Sequence, residues 1–169
     1  MQNQVRDLRA EGKELVGLLE RLTDADWDRA TLFKSWTVDD IVQHLYSGDE
    51  RAAASIDDAE KYDALSAALQ AARDAGVSRV EEARRRLGDL HGRRLLDRFR
   101  DQGGRLCDLL AALQPGDRLR WGGRDMSARV FASARQMEYW AHAQAIYDLL
   151  GLERPRADRL RNIAELGVR

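Results

Sequence analysis

The sequence predicts an all-α protein, a four-helix bundle with extra short helices. Apolar residues recur at helical spacing along most of the 169 residues. The only two prolines, Pro115 and Pro155, fall outside the strongest helical patterns. Alternating β-branched runs are absent, whereas the strong helix formers Ala, Leu, Arg and Glu are abundant. A chain of this length is expected to make one domain with its own core.

The first helix is expected over Val5–Leu22. Val5, Leu8, Leu15, Leu18, Leu19 and Leu22 form its inward stripe, interrupted around Gly12. Thr23 can cap a short helical turn before Trp27. The second main helix begins after Trp36. Thr37 is its N-cap, and Asp40 three residues on supplies an acidic variant of the capping box. Val38, Ile41, Val42 and Leu45 form its buried face. Asp58–Ala75 reads as a helix with Leu65, Ala68, Leu69 and Ala72 inside, ended by Gly76. Ser78 and Glu81 suggest a capping box for Arg79–Leu87. A longer helix follows over Arg93–Leu113, closed by Pro115-Gly116-Asp117, and then a loop containing Trp121-Gly122-Gly123. Ser127 can cap the last long helix, which runs to Leu150 and stops at Gly151, a natural left-handed C-cap. Ala157–Leu166 reads as a short final helix. The bundle is thus expected over residues 1–153, with 154–169 as a short C-terminal helix or the start of an extension.

Composition narrows the function classes. Acidic residues number 29 and basic residues 28, for a net charge of −1. This gives no global reason to bind nucleic acid or acidic lipid. Arg84-Arg85-Arg86, Arg93, Arg94, Arg98 and Arg100 could make a basic stripe. Glu81, Glu82, Asp89, Asp97 and Asp101 are interleaved, however, which reads as a solvated helix face, so no nucleic-acid partner is expected. Cys107 is the only cysteine, in a helical apolar pattern, which suits a reducing, cytoplasmic setting. The polar Met1-Gln2-Asn3-Gln4 start looks like neither a signal peptide nor an anchor. No apolar run approaches the about 20 residues of a membrane span, and no membrane partner is expected.

The chemistry concentrates on the last long helix. Phe131, Ala134, Glu138, His142, Ala145 and Leu149 fall along one stripe, with a carboxylate and an imidazole in its apolar middle. An inward carboxylate needs a partner. Glu138 and His142 are i and i+4, so both side chains can converge on one cation. His44, at the edge of the second helix's buried face, is the third candidate. Two histidines and one carboxylate leave coordination positions open, as catalytic zinc sites do, and the same set suits iron(II). His91, beside Gly92, reads as a surface turn residue.

Two stretches carry a resemblance. Trp36-Thr37-Val38-Asp39-Asp40-Ile41-Val42-Gln43-His44-Leu45 resembles the W-T-v-x-d-x-v-x-H-L signature of the DinB-like superfamily. Ala134-Arg135-Gln136-Met137-Glu138-Tyr139-Trp140-Ala141-His142 resembles the A-R-x-M-E-x-W-x-H motif of its mycothiol-dependent maleylpyruvate isomerase branch, and Leu22-Thr23-Asp24-Ala25-Asp26-Trp27 also fits that branch. The resemblance implies an up-down-down-up four-helix bundle. It implies a divalent metal, zinc first with nickel or iron as alternatives, held by His44, Glu138 and His142. It further implies a low-molecular-weight thiol as co-substrate and an electrophilic small molecule as its target. Trp36, Trp121, Arg124, Arg135 and Trp140 are then candidates for the pocket rim, each read otherwise as a core aromatic or a solvated arginine. Relatives often read H-x-x-D after the second histidine, where this chain has Ala145, so a non-catalytic metal-binding or sensor module is the alternative. An exposed helix face would permit a homodimer.

Overall fold

The structure is a computed structural model that describes residues 1–122 and 124–166. Its main helices are α1 (Gln2–Leu19), α2 (Val38–Asp57), α5 (Gly92–Ala111) and α6 (Ala128–Leu150). Shorter helices α3 (Ala59–Asp74) and α4 (Arg79–Leu87) link α2 to α5, and α7 (Arg161–Leu166) follows α6. A two-stranded antiparallel hairpin, β1 (Arg118–Leu119) and β2 (Met126–Ser127), joins α5 to α6.

Local chemistry sets most of the boundaries. Thr37 and Asp40 form the reciprocal cap of α2, with Asp40 N donating to Thr37 Oγ1 at 3.1 Å and Thr37 N to Asp40 Oδ2 at 2.9 Å. Thr23 and Asp26 repeat the device at the 3₁₀ turn Asp24–Asp26. Ser78 accepts from Glu81 N at the start of α4, and Ser127 from Val130 N at the start of α6. Gly151, with φ +64°, ends α6 in the left-handed conformation.

Side-chain partners give the direction of each helix. Arg9 meets Asp108 and Glu20 meets Arg100, so α1 and α5 are antiparallel. Gln43 reaches Leu90, and Asp49 and Asp57 reach Gln102 and Arg105, so α2 and α5 are parallel. Gly12 faces Tyr139 and Glu14 meets Tyr147, so α1 and α6 are parallel. His44 faces Glu138 and Asp49 faces Arg135, so α2 and α6 are antiparallel. The order along the chain is therefore up, down, down, up. The core lies between these four helices, filled by Leu8, Leu15, Leu19, Ile41, Leu45, Leu95, Phe99, Leu106, Leu110, Phe131 and Ile146.

Four expectations change. The inward stripe of α1 is not broken around Gly12: buried Glu11 continues it, and Gly12 makes room for a ring, since a Cβ there would come within 3.0 Å of Tyr139 Cε2. Leu65, Ala68, Leu69 and Ala72 are not core residues. α3 lies outside the bundle against α2 and α4, and only Tyr62 on it is buried. The connection before α6 is a hairpin, clamped at its base by Ala128 N donating to Asp117 O and Arg129 N to Pro115 O. Gly123 of the expected Trp121-Gly122-Gly123 loop lies outside the described residues, as do residues 167–169. Finally, the most buried line on α6 runs through Ala128, Phe131, Ala132, Arg135, Tyr139, Ala143 and Ile146. Ala134, Glu138, Ala145 and Leu149 sit half-buried on its shoulder.

Beyond α6 the chain folds back on the bundle. Buried Glu11 accepts hydrogen bonds from Arg154 and Arg159, and Glu14 pairs with the same two arginines. Asn162 donates to Asp7, and Gln136 donates to Arg159 O at 2.8 Å. The described part of 154–169 is thus packed against α1 and α6.

Candidate metal centre

Because α2 and α6 run antiparallel side by side, His44 faces the one-turn interval between Glu138 and His142. Glu138 Oε2 lies 3.3 Å from His44 Nε2 and 3.6 Å from His142 Nε2. One ligand atom from each of the three residues falls within 4.8 Å of the others. Donor atoms of a tetrahedral zinc site, with bonds near 2.0–2.1 Å, are separated by about 3.3 Å. The two separations to the carboxylate are close to that spacing, and the set of two imidazoles and one carboxylate suits a divalent cation with open positions.

The chain belongs to the mycothiol maleylpyruvate isomerase N-terminal domain family, which it matches over residues 8–147. Two uncharacterized proteins of Mycobacterium tuberculosis, from strains CDC 1551 / Oshkosh and ATCC 25618 / H37Rv, are each 39% identical to it over 165 residues. The match covers 98% of this chain but 63% of each relative, so the chain spans less than two thirds of their length. No solved structure matches.

Within this family domain an aromatic loop covers the histidines. The Trp36 ring stacks on His142, with centroids 5.7 Å apart and planes at 7°, and tilts against His44 at 5.3 Å. Phe33 presents its edge to His142 at 5.1 Å and to Trp36 at 5.1 Å. The loop closes because Ala30 bridges Thr37, and Trp36 O accepts from both the backbone N–H and the hydroxyl of Thr31. Between those ties, Lys34 and Ser35 adopt φ of 55° and 58°, a left-handed stretch that costs most residues energy. Phe33 was absent from the sequence-derived set. Its signal was the apolar pair Leu32-Phe33 in an otherwise polar connection, and Leu32 is 96% exposed.

The electrostatics favour ligand-competent forms. Hydrogen bonds from His142 and then His44 hold the Glu138 carboxyl well below the usual carboxylate range, with Arg135 adding to the effect. Burial lowers the pKa of His44 from its ordinary 6.5, against the opposing pull of Glu138. An anionic carboxylate beside a neutral imidazole is the state that binds a metal.

Arg135 borders the cavity beside His44 and Glu138, but as a buried residue. It is 3% exposed, and its guanidinium donates to Asp49 Oδ1 at 2.9 and 3.1 Å and to Leu45 O. The Tyr139 hydroxyl, its pKa pushed up by burial, donates to Asp49 Oδ2 at 2.5 Å. This buried network ties α2 to α6 one turn from the histidines. It also requires Gly48, where a Cβ would lie 2.9 Å from the guanidinium. Trp121 borders a cavity of about 110 Å³ that reaches His44 and Glu138, and packs against Phe131 at 5.2 Å. Arg124 is exposed on the hairpin, where its backbone N–H donates to Trp121 O. Trp140 lies across α6 from Glu138, beneath Arg154 at 5.6 Å. Ala145 is half-buried on the same shoulder as His142.

The other candidates fall elsewhere. Burial raises the Cys107 thiol to about 11, which keeps it protonated and unreactive. His91 is exposed at the start of α5. Arg84, Arg85, Arg86, Arg93 and Arg100 all pair with carboxylates: Asp40, Glu81, Glu50, Asp24 and Glu20 respectively. No helix among the described residues is long and apolar enough to cross a membrane.

Proposed function

We propose that the protein binds one divalent metal ion, zinc in the first instance, through His44, Glu138 and His142, and uses it in a thiol-dependent isomerase or S-transferase reaction. The observation that carries this reading is the convergence of those three ligand atoms from two helices beneath an aromatic cover. A bound divalent cation would stabilise a small thiol as its thiolate and so make it a nucleophile at neutral pH. The chain's own groups have simpler duties. Glu138 and His142 hold their positions one helical turn apart. His44 completes the set from across the bundle. Trp36 and Phe33 keep water from one side of the imidazoles and fix their planes. The cavity beside Trp121 offers room for the electrophile.

Metal analysis of the purified protein, with and without His44→Ala, tests the reading. Wild type is expected to retain close to one equivalent and the variant much less. A wild-type protein that takes up no divalent metal from solution overturns it. A second reading, a metal-binding module without catalysis, is favoured by Ala145 standing where relatives often carry an aspartate. Turnover with a panel of small thiols separates the two: metal binding without turnover supports the module.

A further inference from the structure

Around α2, α3 and α4, most basic side chains have acidic partners. Arg84 holds Asp40, Arg86 holds Glu50 and Glu82, Lys61 holds Glu50, and Arg120 holds Asp63. Arg51, Arg73 and Arg79 are different. Among the described residues none of them lies within ion-pair distance of a carboxylate, yet they face one another. All three line a pocket of about 100 Å³ with Leu69, Ala72 and Val77. Arg51 and Arg79 also line the adjoining cavity of about 110 Å³ that reaches His44 and Glu138. The acidic groups in that cavity are already engaged, Glu82 by Arg86 and Glu138 by the two imidazoles.

Arg51 is the centre of this cluster. It is half-buried, and its guanidinium lies 4.2 Å above the Trp121 ring, a stacking that leaves its planar N–H fork available. Burial pushes its pKa down, with Arg79, Arg135 and Arg73 adding to the effect against Tyr62. Such an arrangement is costly alone and is relieved by an anion that accepts from several guanidinium groups at once.

We propose that Arg51, Arg73 and Arg79 form an anion subsite that takes the oxyanion group, a carboxylate or a phosphate, of a small molecule whose other end reaches the His44–Glu138–His142 centre. Its use as a substrate subsite rests on the metal-and-thiol reading above; the binding of the anion does not.

The test is calorimetric titration of metal-free and metal-loaded protein, separately with succinate and with inorganic phosphate at millimolar concentration. Saturable binding of at least one is expected, and the one preferred identifies the source of the oxyanion. Affinity is expected to fall at least tenfold in Arg51→Gln and in Arg79→Gln, to recover in part in Arg51→Lys, and to be unchanged in Arg21→Gln, an exposed arginine outside the cluster. The binding anion is also expected to raise the melting temperature of wild type and of Arg21→Gln, but not of Arg51→Gln. Absence of binding by both anions overturns the proposal, as does undiminished binding in both glutamine variants with native circular dichroism. Anion binding that survives in a protein unable to hold metal supports this subsite while removing the metal reading. Metal uptake without anion binding does the reverse.

Discussion

His44 and Glu138 illustrate how a residue's surroundings select its charge state. Burial costs a protonated imidazole its hydration, and two ring nitrogens near one carboxylate favour the anion. Both groups therefore have folded-state pKa values below their ordinary ones. Stability from each is present above its ordinary value, 6.5 for His44, and is lost as pH falls toward its folded value. The melting temperature of the metal-free protein is expected to fall as pH drops from 6.5 toward 5.5, with a shallower slope in His44→Gln. Equal slopes in melts across that range would contradict the assignment. One turn away, Arg135 and Asp49 use the opposite solution. Each satisfies the other in the core, and Tyr139 takes the remaining oxygen; burial pushes the Asp49 carboxyl up against the opposing pull of Arg135 and Tyr139.

Among the elements, the 30–37 connection positions the site most directly. Its ends are fixed by the Ala30–Thr37 bridge and by Thr31, and α2 begins at once with the Thr37 cap. The intervening residues must turn sharply, and Lys34 and Ser35 pass through the left-handed region to do so. This strain is the counterpart of stacking Trp36 and Phe33 against the histidines. Ser35→Gly is expected to raise stability in urea unfolding by about 1 kcal/mol, since glycine adopts that conformation without steric cost. An unchanged or lower stability would mean the loop is not strained there. α3 shows a different balance. Its helical pattern is genuine, but it packs on the outside, so its apolar residues are only half covered.

For the whole molecule, the return of residues 154–166 along α1 and α6 closes one side of the bundle. Glu11 is 1% exposed and is balanced by Arg154 and Arg159, which themselves are largely buried. Removing one member of such a cluster strands the others. Glu11→Ala is expected to cost about 3 kcal/mol and to speed amide hydrogen exchange across 154–166. Exchange in that segment matching wild type would show that it is held by apolar contacts instead. The up-down-down-up order follows from the same scale: α3 and α4 carry the chain from the end of α2 back to its start, so α5 can run parallel to α2.

Helix starts and stops were legible in the sequence because caps are local. Thr37 with Asp40, Ser127 and Gly151 each act within four residues, and they stand at their helix ends in the fold. The His44, Glu138 and His142 set was legible from i, i+4 spacing joined to a family-like motif. Burial was legible on α1 and α2, whose expected inward residues are buried, but not on α3 and α6, because it depends on which helices flank a face. Arg135 does line the cavity, but its burial did not show, because only Asp49, 86 positions earlier, lets a guanidinium lie in the core. The inward line on α6 read one position off because α1, α2 and the returning C-terminal segment cover that helix on several sides, leaving little contrast between faces. The two-residue strands of the hairpin are too short to show an alternation. The sequence by itself determined where helices form and which residues are candidate ligands; the packing of α2 against α6 decided which of them meet, since short-range capping acts along the chain and burial acts across it.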